Sequence, residues 1–237
     1  MSEQPLRPAG SPPSLTPEVA YHPPPDAGLE LLHEDAQVLV VHKPAGLLSV
    51  PGRGDDRQDC LIHRVQRRFP EAQTVHRLDM ATSGLVMLAR GDEAQRTLSA
   101  LFRDRRVTKQ YVALVHGLVE PDEGEISLPL ITDWPRRPMQ KVCPDTGKPS
   151  LTRFKVLARD LAQGRTRVAL EPVTGRTHQL RVHLLAIGHP IVGDPLYGPD
   201  AFAEAERLCL HAEHLSWPDL ADVTSGLVIS CVRGADF

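Results

Sequence analysis

The chain has 237 residues, 41% of them hydrophobic and 24% charged, which suits one sizeable domain with a real core and argues against wholesale disorder. It contains no apolar run of membrane-spanning length and opens on no basic-then-apolar leader, so the cytoplasm is the expected compartment and no membrane partner is expected. A formal net charge of −3 counts against a nucleic-acid enzyme until its distribution is examined.

Residues 1–28 carry eight prolines and few large apolar side chains, and predict a disordered tail. A single domain is expected over 29–237. The apolar run 38–41, ending at Lys43-Pro44-Ala45-Gly46, predicts a buried strand followed by a turn. A second such run, 85–89, follows Thr82-Ser83-Gly84. Asp92 is placed to cap a helix with Ala94, Leu98, Leu101 and Phe102 at helical spacing, closing on Arg103, Arg105 and Arg106, which suit a negative C-terminal pole. Residues 107–115 predict a strand with Lys109 and Tyr111 on one face. Residues 151–157 and 165–170 predict a hairpin, and 177–187 a helix with Leu180, Leu184 and Ile187 inward, stopped by Gly188 and Pro190. Strands outnumber the two convincing helices. The expected class is α+β, a mainly antiparallel or mixed central sheet with flanking helices and a cleft.

Charge is unevenly spread. Residues 61–190 hold 21 Lys and Arg against 13 Asp and Glu, and from Trp134 to Lys155 six cations face only Asp145. Such clustering suits a phosphate-binding surface, and equally a solvated basic face. The four cysteines are scattered, without a Cys-x-x-Cys pair, and no histidine pair has a third ligand at metal spacing; neither a disulfide framework nor a metal is expected.

His76-Arg77-Leu78-Asp79-Met80-Ala81-Thr82-Ser83-Gly84 puts a carboxylate in a turn-rich connection leading into a buried strand, a common setting for catalytic groups. Arg-x-Asp alone is most often a surface ion pair. The whole segment, however, resembles the signature of the RluA-type pseudouridine synthases. Lys43-Pro44-Ala45-Gly46, Lys109-Gln110-Tyr111, Gly175 to His183 and Gly188 to Asp194 resemble that family's other motifs, in its order, over about 34–215. The resemblance implies the family's fold and an RNA isomerase without a cofactor. It also implies a catalytic Asp79, a base-displacing Arg77 and a Tyr111 ring against the flipped uracil. Arg181 is the candidate partner of Asp79, since a nearby guanidinium favours the charged carboxylate and directs it by a forked hydrogen bond. His76, Lys109, Arg136, Arg137, Lys141, Arg176 and His178 are further candidate RNA contacts, with the histidines in bonding roles. Nothing in 1–28 could fold as an S4-type module. Together with Leu128 to Pro135, this directs the resemblance to members modifying both an anticodon-loop uridine of tRNA (position 32) and a stem-loop uridine of 23S rRNA. A monomer is expected. Two rivals stay open: an RNA N-glycosylase using Asp79 with water as acceptor, and a non-catalytic RNA-binding protein.

Overall fold

The computed structural model describes residues 21–198, 205–220, 228–232, 234–235 and 237. In chain order the elements are β1 (Leu31–Glu34), β2 (Val38–Lys43), α1 (Leu61–Gln66), β3 (Ala72–Thr74), β4 (Ser83–Arg90), α2 (Gly91–Arg103) and β5 (Thr108–His116). There follow β6 (Glu123–Ser127), β7 (Leu130–Thr132), β8 (Gln140–Val142), β9 (Leu151–Asp160), β10 (Arg165–Pro172), α3 (Gln179–Ala186), β11 (Leu210–Pro218) and β12 (Val228–Val232). The main sheet runs β1-β2-β4-β11-β5-β10-β9-β6, with β3 also on β4 and β12 also on β11; β7 and β8 form a separate hairpin.

The expected class holds. Among the described residues every strand pairing is antiparallel except β4 with β11, so the sheet is mixed there at one place only. The continuous apolar wording of β2 and β4 is explained by burial on both faces. Leu39, Val41, Val86 and Leu88 pack with Leu61, Ile62 and Val65 of α1, whereas Val38, Val40, Leu85, Met87 and Ala89 pack with Ala94, Leu98 and Leu101 of α2. In β10 burial alternates instead, and Val168 and Leu170 meet Leu180 and Leu184 of α3. Side chains two apart on a strand share a face, which is why one layer of each strand builds one cluster. Tyr111 packs against both the α1 and the α3 clusters, at the seam of the two halves.

Three expectations shift. Residues 21–28 are docked, not a loose tail: Tyr21 donates its hydroxyl to Asp59 O and accepts Leu48 N–H, each at 2.9 Å, and Arg64 donates to Pro24 O at 2.7 Å. Proline content signals a lack of core, but one anchoring tyrosine suffices to hold a short segment. Residues 1–20 lie outside the described residues. Asp92 falls in the first turn of α2, whose N-cap is Arg90. Ile187 is the C-cap of α3 and exposed, while Gln179, Arg181 and His183 are buried, because this helix is covered on more than its apolar side.

Two constraints set the loop that precedes β4. The first is the side chain of Lys43, fully buried at the end of β2, whose ammonium donates to Pro44 O (2.9 Å), Leu47 O (2.7 Å) and Met80 O (3.0 Å). Burial pulls its pKa down to about 7, opposed by the charge of Asp79. Three carbonyls are saturated only by the three protons of the charged form. Ser49 adds a second brace, its Oγ donating to Leu78 O at 2.8 Å and accepting Leu78 N–H at 3.1 Å. The second constraint is Gly84, at φ 119°, where an added Cβ would overlap main-chain atoms of Ala212 in β11.

Lys43→Met, which keeps the volume and removes all three donors, is expected to cost about 2–4 kcal/mol by denaturant titration. Gly84→Ala should cost a similar amount, about 2–4 kcal/mol, from positive φ and a backbone clash together. A loss below 1 kcal/mol at either position would contradict these readings.

Candidate active site

The segment 76–82 runs along the rim of a cleft of about 560 Å³, within the usual range for a small-ligand site. Asp79 lies in it with Tyr111 from β5, His178 at the start of α3 and Arg181 one turn further on. The loop entering α3 is shaped by Gln179. Its side-chain oxygen accepts from Thr174 Oγ1 (2.7 Å) and Arg176 N–H (3.0 Å), while its amide donates to Leu151 O and Thr152 Oγ1. Arg176 is thereby held at the cleft mouth with its side chain exposed.

Arg181 is 2% exposed, and its Nη1 stands 3.5 Å from Asp79 Oδ2. The expected fork is made elsewhere: Nε and Nη2 reach the two carboxylate oxygens of Asp194 at 2.7 and 2.6 Å. The buried Asp194 takes the Nε/Nη2 edge, which leaves Nη1 turned toward Asp79. Asp194 Oδ1 also accepts Leu196 N–H (2.9 Å) and Tyr197 N–H (3.1 Å), and Arg181 lies over the Tyr197 ring at 5.0 Å. His178 Nε2 is 3.8 Å from the same Asp79 Oδ2. Among the described residues no hydrogen bond or ion pair reaches Asp79 Oδ1. Burial and the Asp79 charge push the Tyr111 phenol well above its ordinary pKa, so it is neutral.

The remaining candidates divide. Arg77 is exposed on the cleft and, with Lys109 and Arg176, lines it. Burial, helped by Arg105, lowers the Lys109 pKa. His76 belongs to the wall: its Nε2 accepts Met87 N–H at 2.9 Å, its ring stacks on Phe102, and burial with Lys109 nearby lowers its pKa to about 3. Arg136, Arg137 and Lys141 do not line this cleft; they sit on the β7–β8 hairpin. Their positive charge is less bare than the residue count suggests. The buried Asp133 pairs Arg136 at 2.6 Å and approaches Lys141 at 3.8 Å, and Arg137 covers the exposed Trp134 ring at 3.3 Å. Arg153, in the same basic stretch, pairs Glu125.

Reading the residues without coordinates missed Asp194 and Tyr197 as site components and treated Arg103 and Arg105, which line the cleft, as helix-end charges. Asp194-Pro195-Leu196-Tyr197 carried a usable signal, because an Asp accepting the N–H groups two and three residues on makes a turn that fixes the following side chain. Among the described residues no group of three or more His, Cys, Asp or Glu could hold a metal ion.

Residues 37–186 match the family model described as RNA pseudouridylate synthase. The dual-specificity RNA pseudouridine synthase RluA of Escherichia coli K12 is 53% identical over 197 residues, 83% of this chain and 90% of that protein. RluA of Yersinia pestis is 54% identical over 186 residues, 78% of this chain and 90% of that one. Among solved structures, human RNA pseudouridylate synthase domain containing 1 superposes with a TM-score of 0.75 at 31% identity, covering 91% of this chain and 87% of that chain. The chain belongs to the RNA pseudouridylate synthase family, as a member of the RluA type, and is an isomerase that converts uridine to pseudouridine in RNA.

Proposed function

We propose that Asp79 is the catalytic carboxylate of this isomerase and that its natural targets are an anticodon-loop uridine of tRNA and a stem-loop uridine of 23S rRNA, both met in the cytoplasm by a monomer. The observation that carries the catalytic assignment is Asp79 itself, held by one oxygen beside Arg181 and His178 and with the other unpartnered in a nucleotide-sized cleft. The dual target is supported by the printed names of the relatives, which cover most of this chain.

The reaction must break N1–C1′, turn the uracil over and form C5–C1′. Asp79 serves either as nucleophile at C1′ or as base at the C2′ proton, and both routes use a carboxylate oxygen that no protein donor occupies. Reaching a stacked uridine requires flipping it out at a cost of about a few kcal/mol. The exposed Arg77 guanidinium is suited to fill the gap by stacking. Tyr111 presents its ring to the extruded base. A phenol held neutral cannot keep the C5 proton, but it can pass one on as it takes one, with the freed Asp79 carboxylate as the acceptor.

Asp79→Asn and Asp79→Ala are expected to abolish pseudouridine formation and leave RNA affinity within a few-fold, since affinity comes mainly from phosphate contacts. The product RNA should keep its mass; release of free uracil would favour the hydrolytic alternative, and Asp79→Ala activity above about a hundredth of wild type would remove Asp79 from the mechanism.

Tyr111→Phe keeps the ring and should bind RNA nearly normally, with turnover lowered on the order of 10²-fold. RNA tritiated at uridine C5 reports the step directly. Release of label at the wild-type rate would confine Tyr111 to stacking.

A further inference from the structure

His178, Tyr197 and the main chain of β8 form a chain of contacts that ends on Asp79. Gln140 N–H donates to the Tyr197 hydroxyl at 2.7 Å, and that hydroxyl lies 2.8 Å from His178 Nδ1. Because Oη already accepts from Gln140, its own proton is the one available for Nδ1. His178 Nδ1 is then an acceptor, and the imidazole proton sits on Nε2, the nitrogen 3.8 Å from Asp79 Oδ2. Protonating His178 on Nδ1 as well would set two donors against one oxygen and strand the phenolic proton.

The imidazole is also held mechanically. Its side chain is 9% exposed, its ring meets the Tyr197 ring edge-on at 5.6 Å and 84°, and its backbone is left-handed at φ 52°. Left-handed backbone is uncommon for a residue other than glycine, although His, Asn and Asp adopt it most readily. The charged and titratable groups around the ring are Asp79, Arg181, Asp194, Arg77 and Tyr197. Burial lowers the His178 pKa, with Asp79 opposing, and burial pushes Tyr197 up to about 12, so both are neutral near pH 7.

We propose that Tyr197, anchored by the β8 main chain, locks His178 as the neutral Nε2–H tautomer and so makes His178 a positioning residue for the Asp79 carboxylate. The proposal rests on Asp79 being the catalytic carboxylate. Its content is that Oδ2 is held between two donors, Arg181 Nη1 and His178 Nε2, while Oδ1 faces the reaction. A 3.8 Å separation is longer than a hydrogen bond, and such contacts commonly tighten when substrate closes the site. One consequence follows for the β7–β8 hairpin: its seating is tied to the orientation of the carboxylate through two hydrogen bonds and an imidazole.

The tautomer is read on the unaltered protein, labelled with nitrogen-15 at histidine. His178 is expected to show a protonated Nε2 and a bare Nδ1, unchanged from about pH 5.5 to 8.5, across the range where an unconstrained imidazole titrates. A proton on Nδ1, or a titration within that window, overturns the proposal. Kinetics supply the second arm. Tyr197→Phe should lower kcat roughly tenfold with KM within about twofold, the scale of a mispositioned group. In a His178→Asn background, where Asn tolerates the left-handed backbone, Tyr197→Phe should cost nothing further. An equal loss in both backgrounds, or a loss confined to KM, defeats the coupling. Asp79→Asn is assayed alongside: if that variant stays active, it is the catalytic assignment that fails, whatever the tautomer shows.

Discussion

Arg181 is the charge around which the cleft side of α3 is organised. A guanidinium sealed from water is costly unless its donors are met by good acceptors, and breaking such a pair is worse than never having built it. Here the cost is met almost entirely by Asp194, through a fork that also ties down the turn carrying Tyr197. The result is a buried cation whose Nη1 lies outside that fork and stands beside Asp79. The α3 helix can therefore present charged and apolar residues on neighbouring faces. Leu180 and Leu184 enter the core while Arg181 and His178 face the cleft.

Strands β2, β4, β5, β9 and β10 were legible because their burial follows period two or runs continuous where both faces are covered, whereas β11, the strand between β4 and β5, was not singled out. The words from His76 to Gly84 pointed to the family before any geometry was known. Partnership was not legible in the same way. Arg181 bonds a residue thirteen positions on, and whether Asp79 or Asp194 receives its fork depends on how two turns meet in space. Lys43, in a Lys-Pro-Ala-Gly turn, reads as a solvent cation, and only the approach of Leu47 and Met80 carbonyls makes it a buried tie. Helix α1 is six residues with no side-chain cap, too short for a periodic signal. The β7–β8 hairpin reads as loop because its strands are three residues each.

The negative total charge of the chain and its polyanionic substrate are reconciled by placement. Arg77, Arg103, Arg105, Lys109, Arg176 and Arg181 all line one cleft, against Asp79 and Glu171. A concave wall focuses that field, so the local potential and not the sum over the chain governs how RNA is drawn in. The basic hairpin contributes differently, since part of its charge is spent on Asp133 and its most open feature is an arginine stacked on tryptophan.

Strand β11 lies between β4 and β5 and, among the described residues, is the only strand bonded to both, meeting β4 at His211 and Ala212 and β5 along most of its length. The loop bearing Asp79 belongs to the first side and Tyr111 to the second. Side chains such as Tyr111 and Arg181 touch across the seam, but among the described residues the backbone pairing that joins the two sides comes from a segment beginning at Leu210. A ribosome making this protein from its N-terminus thus releases both walls of the cleft well before the strand that joins them. Until that strand emerges, β5 has an unpaired edge and β4 lacks its partner at Ser83 and Gly84, and a nascent chain that could already bind RNA through its arginines has no joined cleft with which to modify it.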